Sequence, residues 1–112
     1  MAERRWTLEA ARALLPDVRE RTERACAEAQ AIAAERGRHP AESPAWREAE
    51  ARVQAVVDRW TREMEALGLE VKGLWLVDFD SGAGFYCWRW PETELAFFHG
   101  YEEGFAGRVP IQ

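Results

Sequence analysis

The 112-residue sequence contains only two cysteines and a single lysine, and it has no long run of apolar residues. Cys26 and Cys87 are too few for a disulfide framework, and neither lies in a CxxC motif, so we expect reduced thiols and a cytoplasmic location. No stretch is long enough to cross a bilayer, and residues 1–16 carry charges where a signal peptide would need an apolar segment. The sequence therefore predicts neither secretion nor membrane insertion.

The chain also lacks a block of basic residues. Its 15 Lys and Arg are outnumbered by 20 Asp and Glu, giving a net charge of −5, and the arginines are interleaved with glutamates. Because nucleic-acid binding needs concentrated positive charge, nucleic acid is not an expected partner. A hydrophobic content of 47% with 12% aromatic residues is instead typical of a globular domain, which we expect to span residues 1–112.

The first part of this domain, residues 1–68, has helical periodicity. Thr7 is a candidate N-cap for a short helix over residues 8–14, and we expect Pro16 to bend the chain at Leu15 and start a second helix that ends near Gly37. The next helix has Ser43 as N-cap, and Gly68 follows its end. The apolar stripe of the first long helix is Val18, Thr22, Ala25, Ala29 and Ile32, and that of the next is Ala49, Val53, Val56, Trp60, Met64 and Leu67. The short connection between the two long helices predicts an antiparallel hairpin.

The second part, residues 69–112, changes to a strand pattern. Three runs, LEVKGLWLVDFD, FYCWRW and ELAFFH, are rich in β-branched and aromatic residues and are separated by turn-forming residues. They predict a three-stranded antiparallel sheet, so the fold class is α+β with the helical hairpin packed on this sheet. Both alternate positions of each strand are apolar, which means that both faces of the sheet need a cover. The helices cover one face; the C-terminal tail, a subunit partner or a ligand covers the other.

The supply of apolar surface predicts a homodimer. Cys26, Ala31 and Val57 flank the main helical stripes, and a two-helix hairpin leaves one side of each helix without a partner. Apolar surface of this kind is commonly buried between subunits.

Three stretches resemble an uncharacterised bacterial family, domain of unknown function 2203: WTLEAARALLP, GLEVKGLWLVDF and FYCWRWPETELAFFHGYEEGFAGRVPI. The resemblance covers essentially the whole chain. It marks the positions Asp78, Cys87, Trp88, Glu92, His99, Glu102, Gly104, Phe105, Gly107 and Arg108. Membership of this family implies no particular activity.

The C-terminal segment supplies the candidate site residues. His99 offers an imidazole, Glu92, Glu102 and Glu103 offer carboxylates, and Cys87 offers a thiol. This mixture of nitrogen, oxygen and sulfur ligands is suited to iron, zinc or manganese rather than calcium. Gly100 and Gly104 allow the chain to turn back towards His99. The sequence therefore favours a small metal-binding protein.

The register between the second and third predicted strands decides whether Cys87 belongs to this site. A two-residue loop at Glu92 and Thr93 would pair Trp88 with Phe97 and would place His99 on the face opposite Cys87. A loop of odd length would shift the pairing by one residue and bring Cys87 and His99 to one face. The sequence leaves both registers open.

The main alternative is a dimeric interaction or assembly module without chemistry. In that interpretation His99 and Cys87 are structural, the glutamates are solvated or pair with Arg108, and the GFAG stretch lays Phe105 on the open face of the sheet.

Two catalytic hypotheses are less favoured. A Cys87–His99 nucleophile pair needs a contact that only one register provides, and a phosphate-binding GFAGR loop would have to open a helix, for which too little chain follows.

Overall fold

The computed structural model describes residues 5–112. Residues 1–4 lie outside the described residues, so the structure does not describe the start of the segment 1–16, for which the sequence predicts no signal peptide. The element order is α1 (Leu8–Arg36), α2 (Pro44–Ala66), β1 (Glu70–Gly73), β2 (Leu76–Asp80), β3 (Phe85–Arg89), β4 (Phe97–His99), a short 3-10 turn (Phe105–Gly107) and β5 (Val109–Pro110). The fold is α+β. None of the helices in residues 5–112 is sufficiently long and apolar to span a membrane.

The helical hairpin is confirmed, including its caps. The Thr7 and Ser43 side chains accept hydrogen bonds from the amides of Ala10 and Trp46, which satisfies orphan donors at the two N-termini. Gly68 follows α2 with a φ of 92°, a conformation that glycine adopts without steric cost. All five predicted stripe residues of α1 are buried, and so are Ala49, Val56, Trp60 and Met64 of α2. Side-chain periodicity thus predicts both the hairpin and its packed face.

The predicted break at Pro16 is wrong, because α1 runs through this residue without interruption. Proline inside a helix removes one backbone hydrogen bond and crowds the preceding turn. Ala11 and Leu15 before Pro16, and Val18 after it, are all buried in the core. Burial on both sides holds the backbone in one helix and offsets the local cost.

The sheet has five strands rather than the predicted three, in the order β1-β2-β3-β4-β5, and all neighbours are antiparallel. The run LEVKGLWLVDFD is a hairpin of β1 and β2 instead of one strand. Trp75 occupies its turn at a φ of 59°, and its ring packs edge-on against Trp60 at 5.0 Å. This turn lacks the usual Asn-Gly signal and depends on a tertiary contact, so local pattern did not reveal it. β5 has only two residues, too few to show a pattern.

The two faces of the sheet have different roles. Val77, Phe79 and Trp88 are fully buried on the face that packs against the helices, and they belong to one hydrophobic core with α1 and α2 residues. The alternate positions on β2, β3 and β4 point to the opposite face. That second face, which the helices leave uncovered, carries the candidate site.

Candidate metal centre

Three buried polar residues meet on the face of the sheet away from the helices. Asp78 lies in the middle of β2, Cys87 in the middle of β3 and His99 at the end of β4. Strand pairing sets Asp78 directly opposite Cys87, and Phe85 opposite His99. Because paired residues of antiparallel strands share a face, three separate strands deliver one side chain each to the same place. Their potential ligand atoms all lie within 4.8 Å of one another.

Hydrogen bonds define the orientation of His99. Its Nδ1 lies 2.9 Å from the carbonyl oxygen of Gly100, and its Nε2 lies 2.9 Å from Oδ2 of Asp78. A carbonyl oxygen can only accept, so Nδ1 donates to it, and the contact between Nε2 and Oδ2 is a hydrogen bond whose proton belongs to one of these two atoms. The bond from Nδ1 orients Nε2 towards the cluster, which is how histidine ligands of metal ions are commonly held, and a bound cation would replace the proton between Nε2 and Oδ2.

Asp78 is the most unusual member of the cluster because it is 1% exposed and one of its oxygens is unsatisfied. Among residues 5–112, no donor reaches Oδ1 in hydrogen-bonding geometry. Burial raises the pKa of Asp78, although His99, the neighbouring thiol of Cys87 and the charge of Lys72 each lower it in part. A buried acceptor without a donor costs about 1–3 kcal/mol, so this oxygen calls for a bound partner.

Cys87 lies beside a carboxylate and a guanidinium. Burial and the charge of Asp78 raise the pKa of the Cys87 thiol to about 12, while Arg108 acts in the opposite direction. Arg108 is held in place by an ion pair with Glu92 at 2.9 Å and by the rings of Phe97 and Phe105. The thiol therefore stays protonated at neutral pH unless a cation replaces its proton.

The cluster forms the floor of a pocket of about 260 Å³. Phe85, Tyr101 and Phe105 provide aromatic walls, and Lys72 and Glu103 also line it. The Lys72 ammonium lies 4.5 Å from the centre of the Phe85 ring. The three polar residues therefore line a pocket while being almost completely buried themselves.

The donor set is chemically suited to a transition-metal ion. Bonds of about 2.0–2.3 Å to nitrogen, oxygen and sulfur would place tetrahedral ligands about 3.3–3.8 Å apart. The present separations, from 2.9 Å between His99 and Asp78 up to 4.8 Å, differ from that range by about 1 Å or less. Small side-chain movements are enough for all three atoms to bind one ion.

The structure brings together only part of the residue set expected from sequence. Cys87 and His99 meet, but the glutamates lie elsewhere. Glu92 binds Arg108 and accepts a hydrogen bond from the Arg89 amide, Glu102 is exposed, and Glu103 accepts a hydrogen bond from the Gly100 amide. The carboxylate of the cluster comes from Asp78 instead.

The odd register explains this outcome. Cys87 pairs with Phe97 and Phe85 pairs with His99, so the one-residue shift that unites Cys87 and His99 is the observed arrangement. Sequence reasoning did not assign Asp78 to the site, although the charged residue between Val77 and Phe79 was an available signal. An aspartate in the centre of an otherwise apolar strand is expected to have a specific partner.

A family model described as uncharacterized conserved protein (DUF2203) matches residues 4–111, so the chain belongs to this family. The resemblance expected from the three sequence stretches is thereby confirmed. No curated protein and no solved structure matches the chain.

Proposed function

We propose that the protein binds one divalent transition-metal ion, zinc or iron, through Asp78, Cys87 and His99. The observation that carries the proposal is the unsatisfied, buried Oδ1 of Asp78 beside an imidazole whose Nδ1 is already fixed by a carbonyl. A cation at this place would satisfy Oδ1 and replace the thiol proton of Cys87. The thiol ligand favours zinc or iron over manganese, which prefers oxygen.

The two cysteines are compatible with the same proposal. Cys26 and Cys87 are both free and buried. A thiolate ligand requires a reduced cysteine, and a reducing compartment maintains it. We therefore propose a cytoplasmic location.

Elemental analysis of protein purified without a tag or chelator tests the assignment. Wild-type protein is expected to contain close to one equivalent of zinc or iron. Asp78→Asn, Cys87→Ser and His99→Gln should each lower metal affinity at least tenfold, or about 1.4 kcal/mol, because each removes one ligand. Asp58→Asn, Cys26→Ser and His39→Gln are matched controls away from the cluster and should retain the metal.

Circular dichroism of each variant distinguishes ligand loss from unfolding. The proposal would be overturned by folded wild-type protein that contains no metal and takes up neither added zinc nor added iron. It would also be overturned by site variants that bind metal as tightly as the controls.

An exposed apolar groove supports a second candidate, a homodimeric interaction module. Cys26 and Val53 from the hairpin and Trp75 from the β1–β2 turn line this groove, and Leu74 beside them is 60% exposed. Apolar side chains grouped in this way are typical of subunit interfaces. Sedimentation analysis should show a dimer that Leu74→Glu converts to monomer; a wild-type monomer at all concentrations would contradict this candidate.

A further inference from the structure

We propose that the metal centre is open, with three protein ligands and a remaining coordination position that faces the pocket and takes a small carboxylate or similar anion. This inference rests on the proposed metal function. In such a centre the ion could bind a small molecule from solution, as the ion of a catalytic centre does. The ion of a structural centre is instead enclosed by protein ligands.

The number of ligands is the first support. Structural zinc sites are closed by four protein ligands, whereas catalytic sites have three and leave one position for water or substrate. In residues 5–112, the cluster that could hold an ion has three members. Glu103 lines the pocket but is not a member of this cluster. Its Oε1 already accepts a hydrogen bond from the Gly100 amide, with 3.0 Å between the nitrogen and the oxygen.

The direction of access is the second support. Asp78, Cys87 and His99 all line the pocket. On the other side of these strands, Val77, Phe79 and Trp88 fill the hydrophobic core, which leaves no space behind the cluster. An exogenous fourth ligand can therefore arrive only through the pocket, between the aromatic walls.

Charge defines the class of ligand. A divalent ion with one carboxylate and one thiolate is locally neutral, and Arg108 is already paired with Glu92. Lys72 contributes a positive charge at the pocket, and its ion pair with Glu70 at 3.2 Å is exposed and therefore weak. The pocket volume of about 260 Å³ lies below the range of about 300–1,000 Å³ that is usual for drug-sized ligands. Glu103 also lines the pocket and carries a negative charge, so the open coordination position of the ion, with Lys72 beside it, is what favours a small anion between the two, rather than the net charge of the pocket.

Cobalt substitution tests the inference. Cobalt(II) bound to a thiolate absorbs visible light, and its bands depend on the number and type of ligands. Titration of cobalt-loaded protein with acetate or azide is expected to shift these bands saturably without releasing cobalt. Lys72→Met should weaken acetate binding about three- to tenfold because it removes a nearby positive charge. Arg52→Met, which removes an arginine from the exposed face of α2, should leave acetate binding unchanged.

The outcomes separate this inference from the proposed function. Protein that binds cobalt but shows bands unchanged by either anion would overturn the open centre and leave metal binding intact. Cobalt bands that disappear because the anion strips the ion would also overturn it, and metal analysis after dialysis detects this result. Failure to bind cobalt, zinc or iron at all would overturn both.

Discussion

At the scale of single residues, the cluster of Asp78, Cys87 and His99 is unusual because it buries three polar groups side by side, which costs folding free energy. An aspartate, a thiol and a histidine lie almost without solvent on one face of a small sheet, and Asp78 carries an oxygen without a donor. Hydrophobic residues of similar size would have been less costly at these positions. A metal ion bound by the three residues would offset this cost.

Cys87 should make the metal-free protein sensitive to alkaline pH. Its pKa rises from 9.0 to about 12 in the folded protein, so the unfolded chain releases this proton first and stability falls as pH rises above about 9. The stability difference between wild type and Cys87→Ala should therefore change by about 1.4 kcal/mol per pH unit, at the expense of wild type. Denaturant unfolding with chelator present at pH 8 to 11 measures this change. Parallel pH profiles of the two proteins would contradict the prediction.

Gly84 lets the β2–β3 turn approach β4 closely beside His99, because it has no side chain. A Cβ atom at this position would lie 2.4 Å from the ring of Phe98 and 2.8 Å from the carbonyl oxygen of His99. Gly84→Ala should lower the free energy of unfolding by about 1–3 kcal/mol, since the turn and β4 must separate to make room. Gly104→Ala is the matched control, because its Cβ would contact nothing within 4 Å. Equal unfolding curves for the two variants would show that the close approach has no energetic effect.

At the scale of secondary-structure elements, α1 contains a removable defect. Pro16 lies within the helix and is exposed, and it cannot donate a hydrogen bond to the Arg12 carbonyl. Pro16→Ala should stabilise the protein by about 1–2 kcal/mol, because the gain in helix propensity exceeds the entropy regained by the unfolded chain. Pro44→Ala provides the comparison, since Pro44 begins α2, where its missing donor has no cost. Thermal and denaturant unfolding of both variants test the difference.

The elements also differ in how well sequence predicts them. Helix periodicity and caps are local properties, so the hairpin, the two N-caps and the α1 stripe were predicted correctly, and the α2 stripe was predicted correctly except that Val53 and Leu67 are only partly buried. Strand register is non-local: the pairing of Phe85 with His99 depends on the packing of residues 90–96 against α1, where Arg19 donates a hydrogen bond to the Glu92 carbonyl. For this reason sequence identified Cys87 and His99 as candidates but could not choose their register, and it did not assign Asp78.

At the scale of the whole molecule, α1 ties the helical layer to the sheet. Trp6, just before α1, bonds through its backbone amide to the Asp80 carbonyl at 2.7 Å and through its indole to the Gly68 carbonyl at 3.2 Å. Arg12 donates two hydrogen bonds to the Leu95 carbonyl. These contacts, together with the shared core, indicate that the helices and the sheet unfold as one unit.

Metal binding should therefore stabilise the whole molecule. An ion that binds only the folded state at one hundred times its dissociation constant adds about 2.7 kcal/mol. For a chain of this size, that corresponds to a rise in melting temperature of about 10 °C. Calorimetry of chelator-treated wild type with and without zinc measures the shift, and Cys87→Ser should show little of it. A zinc-induced shift that is equal in both proteins would place the ion elsewhere.

The lysine beside the pocket also provides a chemical handle. Lys72 is the only lysine of the chain, and its side chain is 40% exposed. Apart from the α-amino group, an amine-selective reagent has a single side-chain target in this protein. A fluorophore or cross-linker attached there would lie at the mouth of the pocket and could report on what enters it without any engineered mutation.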